Sequence, residues 1–431
     1  MERIKRNVRF KQQMLALSFA VFMTPSTIAM QPLTDQELQA ADGQALLNLS
    51  YLAPTDTGSN ANINGNVGFY KLGMEAELEL NANIRSLQLG CGGVNGAGAC
   101  DIDIDYLSLS GTGSTSEARA SSSAVLTNPF IQLAIKNPEE AATRELVGLR
   151  LSADAIEGLL TFGLENGDTA SGINSLSGYL VTAATGGTVT TNAVTSGITQ
   201  TNTGTVITGV AKSSLGVITT NFNSTSYDIN LSTASGTLSM PQQVITGKRM
   251  TSATLSATAT VNGINLGGSL AANTDIGIPV STTNLQGTIN NLDVNVTIDQ
   301  GLGFFHKADL NGTAAGLSLQ GQNIKWPGAE SVAQTGWWLE LSNPIDIGDI
   351  TPSGTVDISL STIVETLAKV SNYLAANPVD CGILALSCIA GSINTGTVNL
   401  TGVTPASMTL KDVVLTNQSF APNCWGNVKF C

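Results

Sequence analysis

At 431 residues the chain has room for two or three domains, yet only 12 % of it is charged, about half the share of an ordinary globular protein. The net charge of −13, with no basic cluster beyond residue 11, excludes a nucleic-acid-binding role, which needs a basic footprint. Disorder is excluded too, because it requires low hydrophobicity with high charge, and 42 % of this chain is hydrophobic.

The first element is a targeting segment. Arg3, Lys5, Arg6, Arg9 and Lys11 form a positive stretch, Met14 to Met23 is apolar, and Thr27 and Ala29 supply small residues at the −3 and −1 positions. Residues 1–29 are therefore expected to be a signal peptide cleaved after Ala29. An apolar stretch this short cannot span a bilayer core of about 30 Å, so export rather than anchoring follows. Beyond it, Thr34 and Glu37 have capping-box spacing, Leu38, Ala41 and Ala45 share a face, and Gly43 offers a stop. A short N-terminal helix is expected, plugging a sheet or docking on an export partner.

From Val67 to Leu89 the chain alternates, as in Ala76-Glu77-Leu78-Glu79-Leu80 and Ile84-Arg85-Ser86-Leu87-Gln88-Leu89, which reads as half-buried strand. A Gly-rich loop then lies between Cys91 and Cys100, and alternation resumes in Asp101-Ile102-Asp103-Ile104-Asp105. The six cysteines fall into three close pairs: Cys91 with Cys100, Cys381 with Cys388, and Cys424 with Cys431. Six cysteines allow about 15 connectivities, but loop-closure entropy favours near neighbours, each local bridge contributing about 2–3 kcal/mol. Three local disulfides are expected, the last tying the terminus into a small ring, and with them a periplasmic or extracellular compartment.

The run GFYKLGMEAELELNANIRSLQLGCGGVNGAGACDIDIDYLSLSG (residues 68–111), the segments Asn128–Pro138 and Arg144–Arg150, and the N-terminal LTDQELQAADGQALL (residues 33–47) resemble the Fil-type pilus or filament proteins of exported bacterial surface systems. The resemblance covers roughly residues 30–185. It implies a role in surface structures, with other pilus or surface-assembly proteins as partners, and carries no catalytic residues across.

Residues 138–144 have a preceding Asn, a leading Pro and early acids, which suits one or two helical turns. A tract of Thr, Ser, Gly, Asn and small aliphatics follows from Gly172 to Thr260, almost without charge, and suits strands and turns. Phe304, Phe305, Trp326, Trp337 and Trp338 are expected to close one end of the core. One amphipathic helix is expected where Ile363, Leu367, Val370 and Leu374 form an apolar stripe, with Thr362 and Glu365 as its capping box and Asn377-Pro378 as its stop. The fold class is mostly all-β, an extended antiparallel sandwich or flattened barrel with two or three short capping helices. The expected spans are a β domain at 30–165 with the stapled hairpin, a Thr/Ser/Gly-rich body at 166–300, and a C-terminal region at 301–431.

Catalytic chemistry finds little support. The only histidine is His306, after Phe304-Phe305, where packing is the common outcome, and no nucleotide-binding motif is present. Asp101, Asp103 and Asp105 are the one carboxylate constellation, on alternate strand positions about 6.5–7 Å apart. They read as a solvated face or, with the Gly-rich loop, as a calcium site, which needs about six to eight oxygens. No other cofactor is expected. The leading expectation is a non-enzymatic exported surface protein, structural, adhesive or assembly-related in a pilus or filament, with a host surface or glycan as a further partner. The alternatives are an outer-membrane β-barrel and a soluble lipid- or glycan-binding carrier.

Overall fold

The computed structural model describes residues 47–421 apart from 57–60, 93–94, 165–170, 384–386, 389–390, 412 and 417. The expected signal peptide and the N-terminal helix lie outside the described residues.

Strict alternation builds most of the molecule. In β15 (Ser252–Asn262) every second residue is buried, with Ala253, Leu255, Ala257, Ala259 and Val261 inward and Thr or Ser between them outward. β15 lies in a five-stranded sheet ordered β24 (Ala406–Lys411), β18 (Leu292–Gly301), β15, β13 (Ser235–Met240) and β9 (Thr185–Thr190). A seven-stranded sheet runs β22 (Val379–Asp380), β11 (Thr208–Lys212), β12 (Thr219–Leu231), β16 (Ile264–Thr274), β17 (Pro279–Asn290) and β23 (Ser392–Asn399), with β10 (Val194–Thr199) on β12. The low-charge tract thus forms strands, as its composition predicts. Inward residues of both sheets, among them Ile229, Leu231, Val261, Ile264, Ile289 and Val294, join one core.

The described helices include the α-helices α1 (Ala61–Asn64), α2 (Ser116–Ala120), α3 (Gln200–Thr203) and α4 (Leu360–Ala376), with 3-10 turns at Pro54–Asp56 and Leu302–Phe304. The apolar stripe expected of α4 is buried as Ile363, Leu367, Val370 and Leu374. Its start differs from expectation. Ser359 is the N-cap, its hydroxyl accepting from the Thr362 amide at 3.2 Å, while Glu365 accepts instead from the Ser407 amide at 2.8 Å on β24. Residues 138–144 form two consecutive turns rather than a helix, closed by Glu140 N–H to Asn137 and Thr143 N–H to Glu140. No described helix is long and apolar enough to cross a membrane.

The largest sheet has twelve strands, with the path β1 (Leu47–Leu52), β2 (Val67–Met74), β6 (Ala124–Lys136), β7 (Glu145–Thr161), β20 (Ala315–Gln320), β21 (Gly336–Ile345), β8 (Ile173–Thr182), β5 (Ile102–Ser110) and β4 (Ala82–Leu89). β3 (Glu77–Leu80) pairs with β6, β14 (Gln243–Met250) with β8 and β19 (Lys307–Asn311) with β7. Strands from all three expected spans are thus hydrogen-bonded in one sheet. β5 also pairs with β7, so β7, β20, β21, β8 and β5 close on themselves like a small barrel. Gly158 permits the closure: at φ +146°, a Cβ there would lie 2.5 Å from the Ser110 carbonyl oxygen of the neighbouring strand.

Of the three expected disulfides, two are present among the described residues. Cys91–Cys100 staples the β4–β5 hairpin, and Cys381–Cys388 closes the loop after β22. The third expected bridge, between Cys424 and Cys431, lies outside the described residues. The two described bridges are those of an exported, non-cytoplasmic protein. The aromatic residues do not form one cap. Phe304 and Phe305 enter the main core, Trp337 packs at its margin, and Trp326 and Trp338 belong to a separate cluster on the other side of the large sheet.

Candidate interaction surface

The strands at one end of the large sheet carry apolar side chains in register. Leu49 lies opposite Leu72, then Ile131, Leu151, Leu317 and Leu339 follow strand by strand from β1 to β21. Two positions along, Tyr51, Tyr70, Leu133, Leu149, Leu319 and Trp337 form a parallel row on the same face. A face this apolar is ordinarily core. Here much of it is open: Leu49 is 72 % exposed, Ile131 44 % and Leu151 45 %. The first row, through Leu72, Ile131, Leu151, Leu317 and Leu339, lines a groove of about 430 Å³ that is almost without polar atoms.

The opposite face explains why. It carries Lys71, Gln132, Arg150, Ser318 and Trp338 in successive register, and there Gln132 and Arg150 are buried, at 5 % and 4 % exposed. Segment 321–335 covers this face, setting Ile324, Trp326 and Ala333 against Val67, Phe69, Ala134, Val147 and Trp338 as a second core. Gly148 makes room for it, since a Cβ would lie 2.8 Å from Ile324 and 2.9 Å from Trp326.

Polar bonds lock the cover down. Glu340 accepts from the Glu330 amide at 2.7 Å and from Ser331, whose hydroxyl accepts in turn from the Trp338 indole at 3.1 Å. Arg150 donates to the Pro327 carbonyl at 2.9 Å, and Asn64 and Lys325 exchange two bonds. Burial lowers the Arg150 pKa, with the Glu340 carboxylate opposing. At the sheet margin Lys71 donates to Asp154 at 2.8 Å and lies 4.1 Å from the Phe130 ring centre, and its bond holds the Asp154 carboxyl below its usual range. Tyr51 donates to Glu139 at 3.1 Å, and burial, then this bond, raises its pKa. The polar residues are thus sequestered and the leucines displayed.

The three aspartates do not gather into a calcium site. Asp101 is buried, accepting from the Trp337 amide at 3.0 Å and from the Asn95 side chain at 3.3 Å. Backbone encloses it, since a Cβ on Gly90 would lie 2.5 Å from its Oδ2. Asp103 and Asp105 lie beyond on the strand, tied by the Asn174 amide at 3.3 and 2.9 Å. Among the described residues no three His, Cys, Asp or Glu side chains are placed to hold a metal ion. His306 is buried and packs on the Phe420 ring, 4.4 Å between centres.

Sequence reasoning did not single out the open leucine face. A signal existed in Gln132, Arg150 and Glu340, each set between apolar neighbours on alternating strands and buried on the opposite face. Comparison with family models, with curated proteins and with solved structures gave no match.

Proposed function

We propose that this is a non-enzymatic exported protein that serves as a structural, adhesive or assembly component of a bacterial surface filament, and that it engages its partner through the open leucine face. One observation carries the reading: two apolar rows cross six strands in register and stay exposed at Leu49, Leu72, Ile131, Leu151, Tyr51 and Leu319, while the polar face behind them is covered. Contiguous exposed apolar surface of this kind marks protein or ligand interaction sites. The Fil-type sequence motifs direct the reading to a filament, and the disulfides to an exported location. Protease shaving of intact cells, with filaments and adhesion scored in a deletion strain, tests it. Release of the chain from the surface and loss of filaments or adhesion is the expected result; an internal location, or unchanged filaments and adhesion, refutes it.

The groove itself favours a second reading, as a carrier of a lipid acyl chain, because about 430 Å³ lies within the usual range of small-molecule sites, roughly 300–1,000 Å³. Native mass spectrometry of the purified chain separates the two, since a carrier arrives with bound lipid. The barrel alternative has less in its favour. Strands such as β15 turn Thr and Ser outward and Ala, Leu and Val inward, the reverse of what lipid-facing strands need.

A further inference from the structure

The apolar rows run off the edge of the sheet at β1. Among the described residues this strand is paired with β2 alone, and all but its last residue are exposed. Proteins usually blunt such an edge with lysine, proline or a bulge. β1 has none of these: it reads Leu-Asn-Leu-Ser-Tyr-Leu, uncharged and in unbroken register with β2. A backbone edge that no described strand pairs, beside an apolar groove, is the arrangement that β-augmentation uses, with main-chain hydrogen bonds supplying affinity and alternate side chains filling apolar surface.

The strand is self-complementary. We infer that β1 is a contact between two copies of this chain, paired antiparallel, edge to edge, about Leu49. In that register Leu47 meets the partner's Tyr51, Leu49 meets its own equivalent, and Asn48 meets the partner's Ser50. Apolar residues face apolar ones on the groove side, small polar residues face each other behind, and the Leu49 row runs through the junction into the second copy. This is an isologous two-fold contact. Charge favours it as well: two copies of net charge −13 repel, and uncharged β1 is a place where backbones can approach without adding to that repulsion. Pairing of one six-residue strand buries less than the roughly 800 Å² per partner of a stable interface, so the dimer is weak, with Kd around the micromolar range or above.

The inference rests on reading the leucine face as a protein-binding surface, and its test is separate from the deletion strain. The full chain purified from the exporting cell is sedimented over a range of concentration and salt. A dimer fraction that rises with concentration and salt is expected, because salt screens the repulsion. L49K should remain monomeric. Leu49→Cys should form a covalent dimer under mild oxidation, since opposed residues sit about 4.5–5.5 Å apart, within disulfide reach. Val217→Cys, at an exposed position outside this sheet, should do so much less. A wild-type chain that stays monomeric, a dimer that L49K leaves intact, or equal cross-linking of the two cysteine variants overturns the inference. The cysteine comparison decides even if L49K fails to fold. A filament defect in the deletion strain would then leave the broader reading standing without this contact.

Discussion

His306 packs against Phe420 with its imidazole buried, and burial lowers its pKa, while its hydrogen bonds to the Gln418 side chain and the Phe162 backbone oppose. Below the unfolded value of about 6.5 the unfolded chain takes up a proton that the folded chain resists. Stability is therefore full above that pH and falls as pH drops toward the folded pKa. Thermal melts between pH 7.5 and 5 should show this slope, and His306→Phe should flatten it; an unchanged slope would contradict the assignment. Asp101→Ala should cost about 1–3 kcal/mol by leaving the half-buried Trp337 amide without its acceptor, and added calcium should not move the melting temperature of the wild type. The packed histidine was legible in its aromatic neighbours. The burial of Asp101 was not, because alternation places it with Asp103 and Asp105, and Gly90, Asn95, Gly336 and Trp337, which enclose it, give no sign of this in the local sequence.

Helix α4 and the stapled hairpin show what local sequence carries at the scale of an element. The α4 stripe was readable from apolar spacing alone, and Leu367→Ala should cost about 2–5 kcal/mol in denaturant melts. The cap was misplaced by three residues, because Glu365 has a competing partner in the Ser407 amide that no local rule reveals. Ser359→Ala should therefore cost about 1 kcal/mol, more than Thr362→Val does through lost capping. The hairpin was legible from two alternating runs flanking a Gly-rich loop with a cysteine at each end. Replacing Cys91 and Cys100 together with serine should lower stability by about 2–3 kcal/mol, the chain-entropy value for a loop of this size. The same reasoning from close spacing held for Cys381 with Cys388, whereas Cys424 and Cys431 fall outside the described residues. The turns at 138–144 resisted prediction, since Asn137 at φ +48° directs the chain out of β6 before a helix can start.

Across the whole molecule, period-two alternation is symmetric. It states that a strand has an apolar and a polar face, and leaves open which one the rest of the chain covers. In β15 the apolar face is inside, the default. In β6, β7, β20 and β21 segment 321–335, distant in sequence from β6 and β7, covers the polar face instead, held by Glu340 and Arg150. The leucines are left open because a long-range cover was placed behind them. The proposed function requires this face to meet another protein. A photo-cross-linking amino acid at Leu151, in cells exporting the chain, tests it most directly, with the same group at Val217 as reference. The expected result is a covalent adduct with a polypeptide from position 151 in clear excess over position 217. An adduct with lipid alone, or no excess over position 217, would contradict it.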